Sequence, residues 1–214
     1  MKIKSAIFLL AIILIFSASA VKAQTHKLYL NNLEIIITSS NVLKEGNFFI
    51  DITKYDDFIK IVYKFQDSVD YKRLFVNKQY KNLSKCLDTL KNNKSRSELY
   101  LEMYNIAQKY TYFSKDSLQI TTRSQPLYFE LLGKVNKTSS DSLENKIVNE
   151  NRIVLDGTYF GFTIKNGKNE RTVQAHSPDP KSHPLLYELL NQTFNIYRET
   201  KNNSFLTANR TDGY

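Results

Sequence analysis

His176 and His183 stand seven positions apart in the stretch VQAHSPDPKSHPLLYELL, in the company of Ser177, Asp179 and Ser182. Imidazole, hydroxyl and carboxylate together are the raw material of nucleophilic hydrolysis and of zinc binding. A zinc site needs three or four ligands, and this segment offers only His176, His183 and Asp179, with no cysteine pair nearby. Every polar residue here also has a structural use. Ser177-Pro178-Asp179-Pro180 is turn chemistry, because both prolines fix φ and oppose continuation of a helix or a ladder. Ser182 is placed to cap a helix, and Pro184 suits that helix's first turn. The segment reads as a connector between a strand and a helix, and no catalytic, cofactor-binding or metal-ligating residue is assigned to it.

Other catalytic signatures are absent from the sequence: a phosphate-binding glycine loop, HExxH, CxxC and a nucleophile elbow. Asp56 and Asp57 are neighbours in a turn and point apart, although carboxylates distant in sequence can still meet in a fold. One local arrangement could bind metal without any fold. Cleavage after Ala23 would leave Gln24-Thr25-His26 at the N-terminus, where an amine, two amides and an imidazole supply the square plane that suits Cu(II) or Ni(II). Cyclisation of Gln24 would remove that amine.

The cleavage itself is expected from the first residues. Lys2 and Lys4 precede an uncharged apolar run, Ile7 to Phe16, then small residues and Val21-Lys22-Ala23, the layout of a secretory signal peptide over 1–23. The apolar run is shorter than the roughly 20 residues of a spanning helix. Gln24 stands where a lipoprotein would have cysteine, and the one cysteine, Cys86, allows no intramolecular disulfide. Its place beside Leu87 in an apolar stripe predicts a buried thiol. The expected organisation is a signal peptide, one domain over 24–201, and a polar, loose tail over 202–214 with no transmembrane segment in the mature chain.

The formal charge is +9, of which the lysines of residues 1–23 contribute three. Lysines recur along the whole chain, so the charge reads as a solvated surface, with attraction to an anionic envelope as the alternative, and no nucleic-acid signature accompanies it. The 14 Tyr and 13 Phe come without Trp. Tyr100, Tyr104, Tyr110 and Tyr112 could form a sticky face for peptide or glycan, or close the edge of a core with their hydroxyls in water.

The elements that must position these residues follow from periodicity. Leu33, Ile35 and Ile37, then Phe48, Ile50 and Ile52, then Ile59, Ile61, Tyr63 and Phe65 alternate as half-buried strands, with Lys54 to Asp57 as a hairpin connection. Tyr80, Leu83, Leu87 and Leu90 recur at helical spacing. Ser95-Arg96-Ser97-Glu98 looks like a capping box for a helix carrying Leu99, Met103, Ile106 and Tyr110. A shorter helix is expected after Pro126, stopping near Gly133. The polar run 136–151 reads as a loop or a frayed short helix, anchored only by Leu143, Ile147 and Val148. Asp156-Gly157 suits a turn. Phe160, Phe162 and Ile164 predict a strand up to the hairpin dipeptide Asn166-Gly167, with Arg171 to Ala175 returning. A last helix, His183 to Thr200, has Leu186, Leu189, Leu190, Thr193 and Tyr197 on one face. Strands, helices, strands and a helix in that order predict an α+β domain: one antiparallel sheet from the N-terminal strands and the C-terminal hairpin, with the middle helices and the last helix against it.

The segment LDGTYFGFTI, with HSPDPKSHPLLYELL after it, resembles the C-terminal part of small exported bacterial proteins that have no assigned activity. The resemblance spans about residues 152 to 200, implies export and carries no catalytic residue to transfer. The expected function is that of an exported binding or structural module for a protein, peptide or glycan partner, periplasmic or secreted. The alternative is a hydrolase of envelope or extracellular polymers whose acid and base meet only in the fold.

Overall fold

The computed structural model describes residues 32–41, 47–89, 93–154, 157–201 and 203–206. The expected signal peptide, its cleavage point, Gln24-Thr25-His26, Leu90 and Asp156 lie outside them. Among the described residues no helix is long and apolar enough to cross a membrane.

The chain is an α+β protein built on a six-stranded antiparallel sheet. Its strands are β1 Leu33–Asn41, β2 Phe48–Lys54, β3 Phe58–Val69, β4 Thr111–Thr121, β5 Thr158–Asn166 and β6 Asn169–His176, in spatial order β4-β3-β2-β1-β5-β6. The alternation on β1, β2 and β3 has the cause expected of it. Ile35 pairs with Ile52 and Ile52 with Ile61, so the odd, even and odd positions of successive strands share one buried face. Phe160, Phe162, Ile164, Val173 and Ala175 continue that face across β5 and β6.

Helices α1 Tyr71–Val76, α2 Lys78–Thr89 and α3 Asn93–Gln108 lie between β3 and β4. Between β4 and β5 come α4 Pro126–Lys137, α5 Ser140–Glu144 and α6 Lys146–Asn149, and α7 Pro184–Thr200 closes the order. Tyr128, Leu131, Leu132 and Val135 of α4 join Leu186, Leu189, Leu190, Phe194 and Tyr197 of α7 in the core over the sheet. The helix expected to stop near Gly133 continues to Lys137, and Arg171 Nη2 donates to the Val135 and Asn136 carbonyls at its end, 2.9 Å each. Those carbonyls have no partner within a helix, so a cation from β6 suits them.

Several expectations are corrected. A strand, β4, occupies 111–121, where none was foreseen. Cys86 is exposed, because Leu87 and not its neighbour faces inward on α2. The α3 helix starts at Asn93, so the Ser95–Glu98 stretch lies within it rather than at its cap. The run 136–151 contains α5 and α6, and of its three expected anchors only Leu143 is buried; Ile147 is 90 % exposed and Val148 58 %. The hairpin register pairs Asn166 with Asn169, which puts Gly167 and Lys168 at the centre of the turn. Gly167 has φ 62°, so a two-residue loop with positive φ at its first central position replaces the Asn166-Gly167 centre. Residues 203–206, placed by sequence in the tail, lie against the core: Leu206 is buried and Phe205 meets Phe65 edge-on at 5.4 Å.

Candidate histidine-lined cleft

His176 ends β6 and His183 precedes α7, and the chain between them folds by its own polar groups. Asp179 Oδ1 accepts from the backbone N–H of Lys181 at 2.8 Å and of Ser182 at 2.7 Å, closing an aspartate turn. Ser182 Oγ accepts in return from Asp179 N at 3.0 Å, so it braces this turn; the cap position of α7 falls to His183, with no side-chain cap bond. Ser177 takes a left-handed φ of 43°, and its Oγ accepts from Thr158 N at 3.1 Å. The turn expected at Ser177–Pro180 is present, but the helix cap expected of Ser182 is not, because its hydroxyl is held by the aspartate turn.

What sequence did not indicate is the partner of this connector. Arg152, in a polar stretch after α6, donates Nη1 to the His176 carbonyl and Nη2 to the Ser177 carbonyl at 2.8 Å and to Asp179 Oδ2 at 3.0 Å. The α5–α6 pair is pinned to the same place. Asn145, left-handed at φ 47°, and Asn149 both donate to the Ser182 carbonyl at 3.0 Å. Asn149 Nδ2 also donates to the Glu144 carbonyl at 2.8 Å, and its Oδ1 is buried without a hydrogen-bond partner.

Between these elements lies a cleft of about 630 Å³. His176, His183, Gln174, Glu144 and Glu150 bring polar groups to it, and Ile147 and Val154 supply apolar wall. A would-be Cβ on Gly157 would fall on Ser177 Oγ and lie 3.0 Å from His176 Nε2, so glycine lets the backbone approach both side chains closely. The His176 ring stacks on Tyr159 at 3.9 Å and 7°.

Burial, and then the Arg152 guanidinium, hold both imidazoles below the usual histidine range. At His183 the carboxylates of Asp179 and Glu144 oppose that shift without reversing it. Each ring is neutral near pH 7 and offers one donor and one acceptor. His183 Nδ1 lies 3.1 Å from Ser182 Oγ, but Ser182 is buried and committed to the turn. Asp179 is likewise committed, to Arg152 and two backbone amides, so the sequence trio His176, His183 and Asp179 does not converge as ligands. Among the described residues no group of three His, Cys, Asp or Glu could hold a metal ion.

The field of Arg152 is open to a direct test. Arg152→Gln should raise the pKa of both histidines, read by side-chain NMR titration, and lower stability at all pH values by removing three bonds. Because the folded pKa values are depressed, the unfolded chain binds more protons below about pH 6.5. Wild-type stability is therefore full above that pH and is lost as pH falls below it through the depressed folded pKa values, and the variant should show a shallower loss. Unchanged histidine pKa values would remove Arg152 as a cause and leave burial alone.

The fold and site together define an antiparallel α+β protein with a polar cleft at the base of its C-terminal hairpin. No family model matches the chain, no curated protein is similar to it in sequence, and no solved structure matches it.

Proposed function

We infer that the chain is an exported binding module whose cleft takes a polar segment of peptide or glycan. The observation that carries this reading is the cleft's composition: two neutral imidazoles, two side-chain amides, two carboxylates and the cations Lys146 and Arg152 beside Ile147 and Val154, in a volume of about 630 Å³. Such a volume suits a small ligand, and few convergent polar groups against apolar wall are how such sites fix orientation. The Ser182–His183 pair, which would have favoured a nucleophile, is spent on the turn.

Glu144 and Glu150 on the same cleft favour a second reading, hydrolysis of an envelope polymer by an acid–base pair. Titration with short peptides and oligosaccharides cut from envelope polymers separates the two. Binding should move the His176 and His183 ring resonances saturably without releasing product, and Gln174→Ala should weaken it by about tenfold, the worth of one or two hydrogen bonds. Product release that stops in Glu150→Gln would establish the hydrolase instead. Resonances that stay still with every ligand would remove the cleft as the site.

A further inference from the structure

Lysines recur throughout the chain, but the excess of positive charge does not. Residues 70–110, the whole segment between β3 and β4, hold nine Lys or Arg against four Asp or Glu, a formal +5. The rest of the chain after residue 23 carries only +1. The lysines of α2 are in phase: Lys78, Lys81 and Lys85 fall on one face of the helix and all are exposed.

The same segment exposes large apolar side chains. Phe75 is 53 % exposed, Val76 68 %, Tyr100 59 % and Leu101 62 %. Tyr71 stacks on Phe75 at 5.6 Å and Phe75 approaches Tyr80 at 6.1 Å, which carries the aromatic surface from α1 onto α2. Gln79 Nε2 donates to Glu102 Oε1 at 2.8 Å, setting the start of α2 beside the Leu101 turn of α3. Buried Leu74, Leu87 and Ile106 stand outside the core cluster of the sheet. The helices thus have interior contacts of their own, and their outer faces present basic and apolar side chains together.

We propose that α1–α3 form a docking element for an anionic lipid surface. Lysine stems lie along apolar material while their ammonium groups reach phosphate, and aromatic rings favour the headgroup boundary. An acidic polymer would satisfy the lysines and could stack on the rings. It would leave Val76 and Leu101 in water, whereas acyl chains remove them from it. The near-neutral remainder confines the attraction to this one segment, so the protein would bind by its helical end with the histidine-lined cleft left free.

The test is co-sedimentation of the processed chain from Gln24, in which the apolar run Ile7 to Phe16 takes no part. The probes are vesicles of phosphatidylcholine, with and without about one-third phosphatidylglycerol. Wild type should sediment with the anionic vesicles alone, less so as salt rises. The charge reversal Lys78→Glu, Lys81→Glu, Lys85→Glu should weaken binding by about tenfold or more. Val76→Ser with Leu101→Ser should weaken it too, and both variants should keep the wild-type thermal midpoint because the side chains are exposed. Wild type that stays in the supernatant, or binds neutral vesicles equally, would overturn the proposal. So would full binding by the serine variant with release by dextran sulfate, which would mark a site for acidic polymers.

Discussion

Phe194→Ala is expected to destabilise the protein by about 3–5 kcal/mol, read as a lower midpoint in denaturant with little change of slope. Phe194 is wholly buried on the inner face of α7 and meets Phe48 edge-on, with ring centroids 5.4 Å apart. Phe48 in turn contacts Phe65 at 5.4 Å and Phe160 at 5.7 Å. One aromatic thus links the helix to β2, β3 and β5. Truncation removes its apolar surface and leaves a void whose walls belong to separate strands and cannot collapse together. Phe194→Leu, which keeps most of the volume, should recover more than half of the loss. An alanine variant as stable as wild type would mean that α7 is not the lid of the core.

Thr193→Val should cost about 1–3 kcal/mol although it changes hardly any volume. Thr193 Oγ1 donates its single proton to the Leu189 carbonyl at 2.6 Å, so the Tyr128 hydroxyl, 2.8 Å away, must donate to Thr193. Tyr63 Oη donates to the Thr193 carbonyl at 2.7 Å. Burial pushes the Tyr63 and Tyr128 phenols well above their usual range, which keeps both protonated as donors. Valine deprives the Tyr128 hydroxyl of its acceptor in a site closed to water. Tyr128→Phe on that background removes the stranded hydroxyl and should restore most of the stability. If the double variant is no better than Thr193→Val, the loss arises from packing rather than from the hydroxyl pair.

The buried sides of β1, β2, β3 and β5 were legible because each strand repeats Ile, Leu, Phe or Tyr at every second position. On β4 the same parity reads Ser114, Asp116, Leu118 and Ile120, and the charge breaks the pattern. Asp116 is tolerated there by groups more than eighty positions away. Tyr197 Oη donates to it, Lys201 Nζ lies 3.4 Å from it, and Asn203 Nδ2 is 3.5 Å away. Burial alone would raise its pKa; the bonds from Tyr197, Ser117 N and Lys201 bring it below the usual carboxylate range. Burial and that carboxylate push Tyr197 up to about 12.

Such partners are a property of the fold, and no local window contains them. The cleft was hidden for a similar reason. The two histidines were visible, and their turn chemistry was read from Pro178, Asp179 and Pro180. Arg152 has no local signal, since its acceptors are two backbone carbonyls and a side chain beyond an intervening hairpin. At Cys86 the stripe through Leu87 has the expected phase, and the thiol, one position off it, faces outward. Tyr100, Tyr104 and Tyr112 are exposed, and Tyr110 is half-buried, accepting from Asn77 Nδ2 at 3.0 Å.

The place of β1 in the sheet has a consequence for synthesis. Its first neighbour, β2, follows after a short connection, but its second, β5, begins at Thr158, with Leu33 opposite Asn166. During translation the LEIIIT stretch of β1 leaves the ribosome long before the strand that covers its free edge. Until then a β-rich edge whose single charge is Glu34 offers its unpaired N–H and C=O groups to any extended chain. Closing the sheet across so long a separation is entropically slow, which makes the arrival of β5 the step that ends the exposure. A nascent or truncated chain that stops short of β5 keeps one edge of β1 open.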